Sequence, residues 1–403
     1  MRVAFIIFLL FSINIYAKTP VVLLSIDGFS NEYLAQYKPK HILEMINNGS
    51  SATALLPVYP TKTFPNHISI STGVYPAKHG IIHNVFYDPQ TNKKYKKGAA
   101  KNNSNWLKYP TIWAVAENEG IKTAAYFWPE SETKMLNKLP SYYFPYDGSV
   151  SNLDRVEQII TWLNFPAASR PQFIATYFSS VDSAGHEYGP DSHEVQKAVV
   201  DIDNIIGIFL KKLKTQVSEP VDVILISDHG ITQANSGSTV EWKTLIKNEN
   251  INVINGQTQL LIYSHNDAAI KDTRSQLLAK SFKNGEVRYS VHTKGMLPSN
   301  WHFNTNLSVI PDLIVDAQPP FTFVDDESYV GKATHGYAPD STTQLDAIFV
   351  AQGPSFKKGV VVDSFENINI FPMLVKLLGV KSSHKIDGTI TPLLPMLKAE
   401  LSQ

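Results

Sequence analysis

The sequence predicts an α/β fold built on a mostly parallel central sheet with helices on both faces. Three observations predict it. Short β-branched apolar runs alternate with helix-like segments from Lys18 onward; the runs are near-continuously hydrophobic, as strands buried on both faces must be; and three of them end in acidic residues. In an open α/β sheet, ligands bind in the crevice at the carboxyl ends of the strands, so that third feature bears on function.

The strands read as Val21–Ile26, Lys122–Phe127, Phe173–Ser179, Val221–Ser227 and Leu345–Ala351. Helices read at Asn31–Met45, interrupted before Pro39, and at Thr111–Glu119, where Gly120 closes the run. Two more are expected at Leu153–Leu163 and Val195–Lys212, the latter ending in KKLK, which suits the negative end of a helix dipole. Between about 231 and 328 the pattern is less regular and more polar, and reads as an insertion on the same domain, not a separate one.

The chain has 403 residues, 43% of them hydrophobic, enough for a large core. Its 36 basic and 36 acidic residues balance, which excludes the sustained phosphate tracking expected of a nucleic-acid-binding surface. Residues 1–17, MRVAFIIFLLFSINIYA, carry a basic start, an apolar run too short to span a bilayer comfortably and a small residue at Ala17. They read as a cleavable export signal ahead of one domain, 18–403, destined for the periplasm or the outside medium. There is no cysteine, hence no disulfide and no lipoprotein anchor site.

Asp27 follows the first strand, Asp182 and His186 follow the strand at 173, and Asp228 and His229 follow the strand at 221. Each alone also reads as a turn or cap residue. An adjacent Asp-His pair at a buried strand end is costly without a partner, and a metal is the economical one. With His335, in the loop KATHGY, there are six candidate ligands, enough for two ions with three each. Imidazole and carboxylate without thiolate suits catalytic Zn²⁺, with Mn²⁺ or Fe²⁺ as alternatives. Two ions about 4 Å apart would form the clamp used for in-line displacement at phosphorus. The glycines at 185 and 189 argue against a continuous helix around Asp182 and His186.

The stretch PTKTFPNH offers a nucleophile. Thr63 is expected at a helix N-terminus, where free N–H groups favour an oxyanion, with the alternative that it simply caps the helix. Asn66, one turn on, could donate its amide to a phosphoryl oxygen. Thr61 and Lys62 read as turn or rim residues.

TKTFPNH followed by STGVYPAKHGIIHN, with IDG, VDSAGH, SDHG and ATHGY in that order, resembles the nucleotide pyrophosphatase/phosphodiesterase family of the alkaline phosphatase superfamily, over nearly the whole chain after residue 17. The resemblance implies an alkaline-phosphatase-like sandwich of the stand-alone bacterial kind and a two-zinc phosphodiesterase. It implies Thr63 as nucleophile, one zinc on Asp182, His186 and His335, and the other on Asp27, Asp228, His229 and the Thr63 oxygen. It further implies Asn66 as a phosphate-binding residue, with Phe64 and Tyr146 beside the nucleobase. His67 matches no metal ligand and reads as structural. Glu130 stands where the family pattern leads one to expect glycine. The substrates implied are small nucleotides. The rival readings are a choline-headgroup phosphodiesterase, a phosphomonoesterase of the same superfamily, and a non-catalytic exported protein indifferent to chelation.

Overall fold

The strand Val21–Ile26 lies at the middle of an eight-stranded sheet, with parallel neighbours Phe173–Phe178 on one side and Asp222–Ile226 on the other. The computed structural model describes residues 19–234, 236–326 and 331–401, so the expected export signal falls outside the described residues. Thr123–Tyr126 and Tyr142–Phe144 extend the sheet in parallel beyond Phe173–Phe178. On the other side Phe349–Gln352 runs antiparallel to Asp222–Ile226, followed by Ser50–Ala52 and Val360–Val362. The last expected strand therefore starts later than Leu345, because Thr343–Leu345 forms a 3₁₀ turn.

Alternate residues of each central strand feed two separate cores. Val21, Leu23, Ala175, Ile224 and Phe349 pack under the helices Ile112–Asn118 and Ile370–Leu378. Val22, Leu24, Ile174, Val223 and Val350 face the other way, onto Lys40–Asn48, Asn152–Leu163 and His193–Gln216. Burying each such side chain is worth about 1.5–3 kcal/mol, which is why the strands carry no polar alternation. The expected break before Pro39 separates Glu32–Tyr37 from Lys40–Asn48.

Residues 252–317 build a second, four-stranded antiparallel sheet from Asn252–Asn255, Gln259–Tyr263, Leu313–Ala317 and Tyr289–Thr293. It is bound to the segment before Thr63 by Tyr59, which stacks on Trp301 at 3.7 Å and meets Phe303 edge-on. Among the described residues no helix is long and apolar enough to cross a membrane.

Candidate active site

Parallel register places Ile26 opposite Phe178 and Ser25 opposite Ile226, so Asp27, Asp182 and Asp228 all leave the same edge of the sheet. Gly28, at φ +70°, lets the two turns close: a Cβ there would lie 2.8 Å from that of Asp182. Asp182 and His186 sit on a helix, Ser180–Tyr188, not on the expected irregular loop. Gly185 is helical because a side chain there would meet Ile231, its Cβ only 2.7 Å from Ile231 Cδ1. Close packing against the neighbouring loop thus overrides the low helix propensity of glycine.

Thr63 is the first residue of the helix Thr63–Thr72, with Lys62 in extended conformation before it and Gly73 in the left-handed region after it. Its Oγ1 lies 3.4 Å from His229 Nε2. His229 Nε2 is in turn 3.0 Å from Asp228 Oδ2 and 3.5 Å from Asp27 Oδ1. Asp182 Oδ1 lies 3.4 Å from His186 Nε2 and 3.7 Å from His335 Nε2.

Each of these three imidazoles has its Nδ1 against a backbone carbonyl: His186 to Ala333, His229 to Gly230 and His335 to Thr61, at 2.7–3.0 Å. A carbonyl can only accept, so the proton is on Nδ1 and the Nε2 lone pair faces the site. That is how metal-binding histidines are oriented. Facing them are Asp27 Oδ1, Asp182 Oδ1 and Asp228 Oδ2, all buried and none with a hydrogen-bond donor. Orphaned carboxylate oxygens set against imidazole lone pairs are repulsive unless a cation lies between them. The donor set therefore fits metal ions.

Two triplets have ligand atoms within 4.8 Å of one another: Asp182, His229 and His335, and Asp27, Asp228 and His229. His229 belongs to both, and His186, expected in the first set, stands beside Asp182 at the more exposed rim.

The buried carboxylates and imidazoles also shift one another's titration. Burial, then Asp228 and Asp182, pushes the Asp27 carboxyl well above the usual carboxylate range. Asp228 is also fully buried, but His229 and His67 outweigh that and hold it low. Burial, then His229, holds His335 well below the usual imidazole range.

His67 is fully buried, with Nδ1 on the Thr63 carbonyl at 2.9 Å and 3.3 Å from Asp228, and Nε2 on the Ser25 hydroxyl. The hydroxyl of Tyr177 donates to Asp27 Oδ2, so this strand-end tyrosine shapes the site although sequence reading passed over it.

Asn66 is not where its expected role requires. It is fully buried, its Nδ2 donates to the carbonyls of Lys62 and Pro60 at 2.9 and 3.1 Å, and its Oδ1 accepts from Val58 N and Asn367 Nδ2. A saturated amide has nothing left for a phosphoryl oxygen. Asn84 lines the same cavity as Thr63; its Oδ1 accepts from Phe64 N at 3.0 Å, and its Nδ2 has no partner among the described residues. The signal lay in GIIHN, an asparagine closing an apolar turn just before the strand Val85–Asp88.

Thr61 and Lys62 are buried, not on the rim. Thr61 Oγ1 donates to Tyr337 O and accepts from Gly336 N, while Lys62 Nζ donates to His335 O at 2.6 Å. Burial lowers the Lys62 ammonium to about 7. Phe64 is half-buried in the Tyr59 cluster; Tyr146 is 57% exposed and edge-on to Phe127 and Tyr177. Glu130 adopts φ +58°, which explains why glycine would suit that position, and its carboxylate accepts from Tyr95 and Thr133 hydroxyls.

Acidic strand ends and oriented imidazoles around a helix-terminal threonine define a candidate metal centre in an alkaline-phosphatase-like α/β fold. The structure is similar to that of human ectonucleotide pyrophosphatase/phosphodiesterase 5, with a TM-score of 0.87 and 26% identity over 94% of this chain and all of that one. An inactive threonine-to-alanine variant of the murine protein in complex with AMP is similar to the same extent, at a TM-score of 0.86 and 25% identity over 94% of this chain and 100% of that one. The sequence profile of the type I phosphodiesterase / nucleotide pyrophosphatase family matches residues 21–338, and the chain belongs to that family. Ectonucleotide pyrophosphatase/phosphodiesterase family member 1 of Rattus norvegicus is 35% identical over 94% of this chain and 43% of its own length. The venom phosphodiesterase of Naja atra is 32% identical over 95% of this chain and 47% of its own. The chain thus spans less than half the length of these curated relatives.

Proposed function

We propose that this chain is an exported two-zinc phosphodiesterase that hydrolyses nucleotide phosphodiester and pyrophosphate bonds and releases nucleoside 5′-monophosphates. The observation that carries the reading is the set of three orphaned carboxylate oxygens facing three Nε2 lone pairs beside the Thr63 hydroxyl. Asp182, His186 and His335 would hold one ion, and Asp27, Asp228 and His229 with Thr63 Oγ1 the other. Bound zinc supplies Lewis acidity that lowers a hydroxyl pKa and offsets charge on the transferring phosphoryl group.

Thr63 Oγ1 attacks phosphorus in line, the bond to the departing oxygen breaks, and a nucleotidyl-threonine forms. Water then attacks the same phosphorus from the opposite side and frees Thr63. The free Nδ2 of Asn84 donates to a nonbridging oxygen, so the phosphate role first expected of Asn66 passes to Asn84. Phe64 and Tyr146 present aromatic faces for the base. Support for a nucleotide substrate comes from the AMP complex of the murine relative, and for a threonine from its inactivation on substitution.

The test compares a nitrophenyl ester of thymidine 5′-monophosphate with nitrophenyl phosphate on the zinc-loaded protein. A catalytic efficiency strongly favouring the nucleotide diester is expected, lost in Thr63→Ala. A ratio below one would assign the site to phosphomonoesters.

A further inference from the structure

The parallel strands that bring Asp27 and Asp182 to one edge of the sheet also bring a row of aromatic rings there. Phe178 is in register with Ile26, Tyr126 with Thr176, and Phe144 with Tyr126. Tyr177, Phe127 and Tyr146 therefore stand at the carboxyl ends of three neighbouring strands, running outward from Asp27. The rings meet edge-on: Tyr146 lies 5.3 Å from Phe127 and 6.2 Å from Tyr177, whose hydroxyl bonds Asp27. Tyr146, the outermost, is largely exposed.

A cation for which the fold supplies no counter-ion is joined to this row. Arg155, in the helix Asn152–Leu163, is buried, and among the described residues no carboxylate pairs with it and no acceptor meets its Nε–H. Burying a charge in this way costs stability. What the guanidinium does instead is tie the row together. Nη1 donates to the carbonyl of Tyr177 at 2.7 Å, Nη2 donates to that of Val150, in the loop carrying Tyr146, at 2.9 Å, and the guanidinium carbon lies 4.9 Å from the centre of the Phe127 ring. A planar fork can reach two carbonyls while its face lies on a ring; an ammonium group cannot.

Phe127 adds a second cost at the same place. Its φ of +67° lies in the left-handed region, which bulky side chains seldom adopt. That turn puts its ring in contact with both the guanidinium and Tyr146. An unpaired buried charge and a strained backbone gathered around one exposed tyrosine contribute nothing to stability, and strain of this kind collects where a ligand is held.

We propose that Arg155 is a positioning residue that holds Tyr146 in place for the base of a nucleotide substrate, acting through the Phe127 ring and through the carbonyls of Val150 and Tyr177. This rests on the phosphodiesterase reading above. Arg155 touches neither substrate nor metal; it fixes a side chain that would otherwise be free to turn in solvent, so that the base meets a preset surface.

The test uses the zinc-loaded protein as wild type, Arg155→Lys, Phe127→Leu and Tyr146→Ala, with each of the first two also combined with the third. The substrates are the nitrophenyl ester of thymidine 5′-monophosphate and bis(nitrophenyl) phosphate, a diester without a nucleoside. Arg155→Lys should raise KM for the nucleotide ester about tenfold, close to the loss of one base–aromatic stack, with kcat near that of wild type and far less change on the aryl diester. Phe127→Leu should act in the same direction, and because it keeps the guanidinium and its hydrogen bonds it decides the matter should Arg155→Lys not fold. In the Tyr146→Ala background neither change should add much, since both act through that ring. Hydrogen exchange over residues 145–151 should quicken in Arg155→Lys. Equal losses on both substrates, losses that add in full to that of Tyr146→Ala, or an unchanged KM in both variants would show that Arg155 supports only the fold, and would overturn the positioning role while leaving the activity in place. Failure of the wild type on both diesters overturns the phosphodiesterase reading and the positioning role with it.

Discussion

The Nδ1–H of His335 donates to the carbonyl of Thr61 over 2.7 Å, so a candidate metal ligand from the far end of the chain is held by the segment that carries the proposed nucleophile, Thr63. The contact is reinforced on both sides by Thr61 Oγ1, bonded to Gly336 and Tyr337, and by Lys62 Nζ on the His335 carbonyl. Thr61→Val removes two of these bonds without changing shape. It should weaken zinc binding about 10–100-fold, as loss of an orienting partner does, with little change in the fold. Titration against a competing chelator checks this; unaltered affinity would mean that the loop holds itself.

Glu130 occupies a left-handed conformation that favours glycine, yet its carboxylate satisfies Tyr95 and Thr133. Glu130→Gly relieves the backbone but strands two hydroxyls. The lost bonds should dominate, destabilising the protein by about 1–3 kcal/mol, whereas Glu130→Gln retains one of the two acceptors and should cost less. Denaturant midpoints for the two variants decide between backbone and side chain.

Asp316 is fully buried, and burial raises its carboxyl to about 7 even though the Gln259 and Tyr59 hydrogen bonds oppose the shift. Folded Asp316 binds its proton more tightly than an unfolded aspartate, whose pKa is about 4. Stability therefore falls as pH rises from about 4 to about 7 and is flat in this respect above. Asp316→Asn keeps an acceptor for both partners and removes the titration. Its stability relative to wild type should rise across that window by up to about 4 kcal/mol; a difference independent of pH would contradict the assignment.

Tyr146 projects into solvent beside Tyr177, which itself bonds Asp27. Tyr146→Ala should weaken turnover of nucleotide diesters by about 1–3 kcal/mol, the worth of one base–aromatic stack, and leave a small aryl diester nearly untouched. Equal losses on both would show that Tyr146 does not stack on the base.

The parts of this molecule that were legible in the sequence are those governed by local pattern. Val21–Ile26 reads as a doubly buried strand because both of its faces meet a core, and the Pro39 break reads from proline sterics. The convergence of Asp27, Asp182 and Asp228 was legible because parallel strands share a carboxyl edge. Contacts made across the fold were not. Gly185 is helical through its packing on Ile231, and Lys62 is buried by the His335 loop more than 270 residues away. Asn66 reads from sequence as the phosphate-binding asparagine until the carbonyls around it are seen to consume its amide.

The measurement that tests the central claim most directly is the stereochemical course at phosphorus. A single-configuration thiophosphate diester of thymidine should be hydrolysed in ¹⁸O-water with net retention, because attack by Thr63 and then by water inverts the centre twice. Net inversion would mean that water displaces the leaving group in one step, and Thr63 would not be the nucleophile.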